Sequence, residues 1–231
     1  MALTRWTPRL MAIGICTLSA LLLVRTTLGQ MALYIHPRYD ILLYLCGIVL
    51  FFMALVCIIQ RHTLPAFALA FVLIPVALGL GVPPRPLDAN ALGSRLSSLN
   101  RVAQRPSTSG AMRIPPDDTT QWNLYDWAIA MSIDTAPLIA KPVSVEGFVV
   151  RPPDMPQADA TFMLARYVLT CCTADAGGVG MPVAWSTAAQ LADNQWVRVT
   201  GVVARNAQGQ LYIQASAVQR IEVPRTPYLS P

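Results

Sequence analysis

The stretch "ATFMLARYVLTCCTADAGGVGMPVAW", Ala160–Trp185, decides how the C-terminal half is read. "ATFMLARYVLTC" (Ala160–Cys171) alternates and is rich in aromatic and β-branched residues, so it reads as a strand. "GMPVAW" (Gly180–Trp185) reads as the next one. Between them lie two adjacent cysteines, the carboxylate of Asp175, and Gly177 and Gly178. Neighbours on a regular strand point to opposite faces, so Cys171 and Cys172 cannot share a ligand while the strand continues. Alternation puts Cys171 with Met163, Ala165, Tyr167 and Leu169, and Cys172 with Phe162, Leu164, Arg166, Val168 and Thr170. The second face is the more polar, which makes Cys172 the accessible thiol. A disulfide between sequence neighbours falls outside normal geometry. The two thiols then read as buried strand-end packing, as a partial metal or ligand site completed by another chain, or as reactive groups. Asp175 with Gly177, Gly178 and Gly180 reads as an Asx-type turn or as a carboxylate ligand at a loop tip.

Working outward, three more strand-like runs flank this pair: "PVSVEGFVVR" (Pro142–Arg151), "QWVRVTGVVA" (Gln195–Ala204) and "QLYIQASAVQRIEV" (Gln210–Val223). A short helical connector, Ser186–Ala192, precedes the fourth strand. Five strands with a helical insert before the fourth match the order of an OB-type barrel; an open five-stranded meander is the alternative. Gly147 and Gly201 interrupt strands, as bulges or sharp coils in a small closed barrel require. Ahead of the strands, "DDTTQWNLYDWAIAMSID" reads as an amphipathic helix, with Asp117 and Asp118 at its positive end.

The N-terminal third is different in kind. Ile41–Ile59, "ILLYLCGIVLFFMALVCII", is nineteen residues without a charge, enough to cross a hydrocarbon core. Leu64–Val82 is a second such run, with Pro75 inside it. Leu10–Val24 is shorter and bounded by Arg9 and Arg25, which can snorkel if it spans to about residue 28. These runs predict three transmembrane helices, about 10–28, 41–59 and 64–82, within a membrane region 1–82. A cleaved signal followed by two helices is the alternative, although Arg25 interrupts any cleavage region. Residues 83–116 are rich in Pro, Ser and Arg and read as a basic linker with a short interfacial helix around Ala89–Val102. Residues 117–231 form the β domain. The expectation is an α + β membrane protein of the cell membrane: three N-terminal helices, then a small OB-like barrel with one or two helices. Three arginines on one side of the spans against five on the other lean toward a cytoplasmic tail without fixing the side.

Charge narrows the function classes. Residues 1–85 carry six Arg against one Asp, whereas residues 117–231 carry seven basic and ten acidic groups. The basic pI therefore belongs to the membrane flanks, and an acidic domain disfavours nucleic acid as a partner. Cys16, Cys46 and Cys57 lie in the apolar half and read as small hydrophobes. The two histidines, His36 and His62, sit in short membrane-edge loops; "YIHPRY" (Tyr34–Tyr39) reads as an aromatic anchor. No histidine follows Leu64, so no Ser-His-Asp set can form in the domain and Cys172 has no visible general base. "AGGVG" lacks the lysine and spacing of a phosphate loop.

Taken together, "YIHPR" before the second helix, "VEGFVVR" opening the domain, "ARYVLTCCTADAGGVGMPV" at its centre, and "WVRVTGVV" and "VPRTPY" at its close resemble the YcgQ-like family of permease subunits. That resemblance implies a bacterial membrane protein that works with a separate, larger multi-spanning permease. Some relatives carry a His-rich tract between the second and third helices; here the loop is only "QRHT". The functional expectation is a non-enzymatic accessory subunit of a two-component permease, embedded in the lipid bilayer. Cys171, Cys172, Asp175, Arg166 and Gly178 are its candidate ligand or partner residues. The alternative is a membrane-tethered OB-like domain that binds a small ligand or metal ion by itself. No cofactor is assigned.

Overall fold

The computed structural model describes residues 7–60, 66–93, 117–152 and 160–231. The chain divides into two compact units, Met1–Pro86 and Leu87–Pro231.

The first unit holds helices α1 (Thr7–Thr27), α2 (Asp40–Gln60) and α3 (Ala66–Gly81). Among the described residues, two helices are long and apolar enough to cross a membrane, over Arg9–Thr27 and Pro37–Ile59. Only 11% of the second of these spans is buried within the chain, unlike the core helix of a soluble protein. Small residues let the helices approach closely. A Cβ on Gly47 would lie 2.6 Å from Leu23 Cδ2, so the α1–α2 contact depends on the missing side chain. Beside it, buried Ser19 donates to the Gly47 carbonyl at 2.7 Å. Arg25, at the end of α1, donates to the Gly79 carbonyl in the last turn of α3, where a cation complements the helix dipole. His36 caps a short 3-10 turn, its Nδ1 accepting from the Arg38 amide at 3.2 Å, and Arg38 lies over the Tyr39 ring. His62 lies outside the described residues.

The second unit is built on strands β1 (Pro142–Val150), β2 (Thr161–Val168), β3 (Gly177–Ala184), β4 (Trp196–Arg205) and β5 (Leu211–Arg220). They close into a barrel of order β1-β2-β3-β5-β4, with the parallel β3–β5 contact limited to Val183–Ile213 and Ala184–Gln214. This is the OB-type order that the sequence implies. Closure needs tight coiling, and the glycines supply it. The β4–β5 register shifts at Thr200/Gly201, where a Cβ on Gly201 would sit 2.2 Å from the Gln214 carbonyl oxygen.

The connector before β4 is a 3-10 turn, Ala188–Gln190. Arg151 holds it by donating to the Ala188 and Leu191 carbonyls and pairing with Asp193 at 2.6 Å.

Helix α4 is the single turn Ala89–Gly93. The remainder of the interfacial helix expected over Ala89–Val102 lies outside the described residues. Helix α5, Leu124–Ile133, packs against β1, β2 and β3. It starts later than the sequence suggests. The Asn123 side chain caps it by accepting from the Asp126 amide, and the Asp126 carboxylate accepts from the Asn123 amide, a reciprocal capping box. Asp118 instead closes a separate 3-10 turn through Thr120. The α5 residues Leu124, Tyr125 and Trp127 join Phe162, Leu164, Val179, Met181, Val197, Val199 and Ile213 in the barrel core.

Candidate functional site

The central stretch departs from a regular strand sooner than alternation suggests. β2 stops at Val168, and Thr173–Asp175 is a 3-10 turn. The reason lies in Asp175. Its carboxylate accepts the backbone N–H groups of Cys171 at 2.7 Å and of Thr170 and Cys172 at 3.3 Å. Three donors converging on one carboxylate draw the chain out of the ladder and around the side chain. These bonds run back to residues 170–172, so this is not the Asx-type turn with Gly177, Gly178 and Gly180 that the sequence suggests, whose side chain would bond the backbone two residues on; those glycines lie in β3. Partial burial pushes the Asp175 carboxyl up, but the Cys171 thiol and these N–H groups outweigh it and hold it below the usual carboxylate range.

The turn changes the thiols' relation to each other. Cys171 and Cys172 are both half-buried, with Sγ atoms 3.7 Å apart, so they do not point to opposite faces of a strand. Both are free. Cys171 is pushed up to about 11, chiefly by donating its thiol hydrogen to Asp175 and secondarily by Cys172. It therefore carries its proton at neutral pH and is no nucleophile as it stands. Among the described residues, no group of three or more His, Cys, Asp or Glu side chains is placed to hold a metal ion.

Arg166 and Gly178 stand elsewhere. Arg166 lies on the face that the sequence marks as polar, yet it is buried at 9% exposure, and its neighbours Phe162, Leu164 and Val168 belong to the core. Its guanidinium donates to the Thr226 carbonyl at 2.6 Å and to the Pro227 carbonyl at 3.0 Å, and stands 5.5 Å from the Trp196 ring centroid. Burial lowers its pKa from the ordinary guanidinium value, opposed by the Glu146 charge. The residue is a clamp on the C-terminal tail. Leu229 completes that clamp, donating to the Tyr167 carbonyl at 2.8 Å and accepting from the Leu169 amide at 2.9 Å. Gly178 is no turn residue: it is buried in β3, opposite Tyr167.

A second buried cluster, which the sequence reading misses, lies apart from the main barrel core. Phe148 stands between Tyr167 and Trp196, its ring centroid 5.7 Å from each, and Tyr228 meets Tyr167 edge-on. Leu87, Ala89 and Ala91 pack on this cluster. The Tyr167 hydroxyl donates to the Asp88 carbonyl at 2.8 Å, the Leu87 amide donates to the Tyr228 hydroxyl at 2.9 Å, and the Ala89 amide donates to Asn194. The start of the region read as a linker is thus part of the barrel's second core. No local pattern announces this, because Tyr228 lies 141 residues from Leu87 in the sequence.

No curated protein matches the chain. Residues 117–231 match the model of the DUF1980 C-terminal domain, which spans the five-stranded barrel, the Cys171–Cys172 turn and the Arg166 clamp. The barrel and its α5 cap, residues 117–231, therefore belong to the DUF1980 C-terminal domain family.

Proposed function

We propose that this protein is a non-enzymatic, membrane-embedded accessory subunit of a two-component permease. In this reading the helices make the contact with a larger multi-spanning partner, and the OB-like barrel docks on that partner or on a ligand. The observation that carries the reading is the outward apolar surface of the first unit. On α2, Ile41, Phe52 and Ile59 are 75%, 60% and 77% exposed, and on α3, Phe71 is 76% exposed. Water would not tolerate such a surface on a folded unit; lipid and partner helices would.

The reading includes α3 as a third span. Its sixteen residues rise about 24 Å at 1.5 Å each, somewhat short of a hydrocarbon core of about 30 Å. The apolar run from Leu64 to Val82 extends beyond the helix at both ends, and local bilayer thinning absorbs the remaining mismatch. Pro75 leaves one backbone carbonyl of α3 without its helical donor, a group that a neighbouring helix can satisfy.

The test is affinity purification of the full chain from native membranes in mild detergent, with mass spectrometry of what is recovered. The account expects a multi-spanning protein in stoichiometric amount. Recovery of the chain alone, at native expression levels and after crosslinking, would contradict it.

A further inference from the structure

We infer that Cys171 and Cys172 form a two-thiolate clamp for a divalent thiophilic cation of the zinc type, presented on the barrel surface at the turn organised by Asp175. This goes beyond the permease-subunit reading and does not depend on it.

Three observations carry it. First, the separation fits. Two thiolates on a tetrahedral zinc-type ion with bonds of about 2.3 Å stand about 3.8 Å apart, whereas a linear two-coordinate ion would need about 4.6 Å. The Sγ atoms stand 3.7 Å apart before any ion is present. Second, the competing fate of a close thiol pair is disfavoured. Sequence neighbours have Cα atoms about 3.8 Å apart, below the range of about 4.4–6.8 Å that an unstrained disulfide spans. Both thiols are in fact free. Third, the pair is accessible and pre-organised. Both cysteines are half-buried, and the Asp175 carboxylate holds both of their backbone amides.

Binding replaces both thiol hydrogens by two sulfur–metal bonds and releases up to two protons to solvent. Among the described residues no third His, Cys, Asp or Glu completes a metal-holding group with the pair, the Asp175 oxygens being engaged by backbone N–H groups, so water or an incoming donor completes the shell. Such an open site suits an ion that is taken up and passed on rather than a closed structural centre.

The experiment uses the full chain in detergent micelles, with Cys16, Cys46 and Cys57 replaced by Ser so that only the pair remains. Zn²⁺ binding is followed by equilibrium dialysis, and Cd²⁺ binding by thiolate-to-metal charge-transfer absorption. The account expects one ion per chain with a two-sulfur Cd²⁺ band. Adding Cys172→Ser should weaken Zn²⁺ binding by more than the roughly 10–100-fold that follows loss of an outer-shell partner. No saturable binding, or binding unchanged by Cys172→Ser, would overturn the proposal. A second measurement needs no change in the pair itself: bound Zn²⁺ should protect both thiols from alkylation, read by mass spectrometry. Equal alkylation with and without saturating Zn²⁺ would overturn it equally.

Discussion

Helix α2 and the barrel strands are made of the same apolar residue types and place them in opposite ways. Ile41, Phe52 and Ile59 of α2 are more than half exposed, whereas Phe162, Val197 and Ile213 of the barrel are fully buried. What separates them is sequence pattern. α2 is apolar on every side, so no orientation can hide it within this chain. β4 alternates, so one face can be hidden and the other can be wet. The difference teaches that hydrophobicity alone does not locate a core; its period, set against the surrounding solvent, does. The barrel should therefore respond to core truncation as a water-folded domain, and the helices should not.

The largest effect is expected at the centre of the barrel. Trp127 is fully buried against Trp122 and the barrel core, so Trp127→Ala should cost about 3–5 kcal/mol in a denaturant melt of the second unit. A loss below about 1 kcal/mol would mean that α5 does not cap the core.

Next comes the tail clamp. Arg166→Met removes the donors to Thr226 and Pro227 and should cost about 1–3 kcal/mol. Amide exchange at Leu169 and Leu229 should accelerate, because those groups pair through the tail. Unchanged protection there would show that the tail holds without the guanidinium.

Asp175→Ala should cost about 1 kcal/mol, the scale of a lost capping side chain. Its pH dependence is the sharper measurement. The folded Asp175 carboxyl titrates below its ordinary value of 3.8, so its contribution is present above that value and is lost as pH falls through the lowered one. Wild type and variant should therefore converge in stability in strong acid and differ near neutrality. A constant difference across that range would remove the carboxylate's charge from the account. Cys171 works with the opposite sign: its contribution is present below 9.0 and is lost as pH rises through about 11.

The smallest effect is expected on the wet face. Arg198 donates to Glu146 across β1 and β4 at 3.0 Å in an exposed pair, so Arg198→Ala should cost less than about 1 kcal/mol and less still in high salt.

The order and closure of the strands were legible in the sequence, because alternation and interrupting glycines are local signals. Gly201 is the clear case: its need comes from one neighbouring carbonyl, and the V-x-G-x-V frame announces it. The site was legible only in its parts. Cys171, Cys172 and Asp175 were marked as candidates, yet strand alternation set the thiols on opposite faces. Alternation assumes that the ladder keeps its amides, and here a carboxylate four residues on takes them. Arg166 looked polar because its partners lie about sixty residues away in the tail, a distance that no local pattern reports. The docking of Leu87 onto Tyr228 was hidden for the same reason.

The division of labour between the two regions is the central claim, and a chimera tests it most directly. Residues 1–82 are replaced by an unrelated three-helix anchor, with the remainder of the chain left intact, and the chimera is purified from native membranes beside the wild type. The account predicts that the barrel keeps its β-rich circular dichroism and cooperative melt while recovery of a multi-spanning partner is lost. Undiminished recovery of that partner by the chimera would contradict the account and move the contact to the barrel.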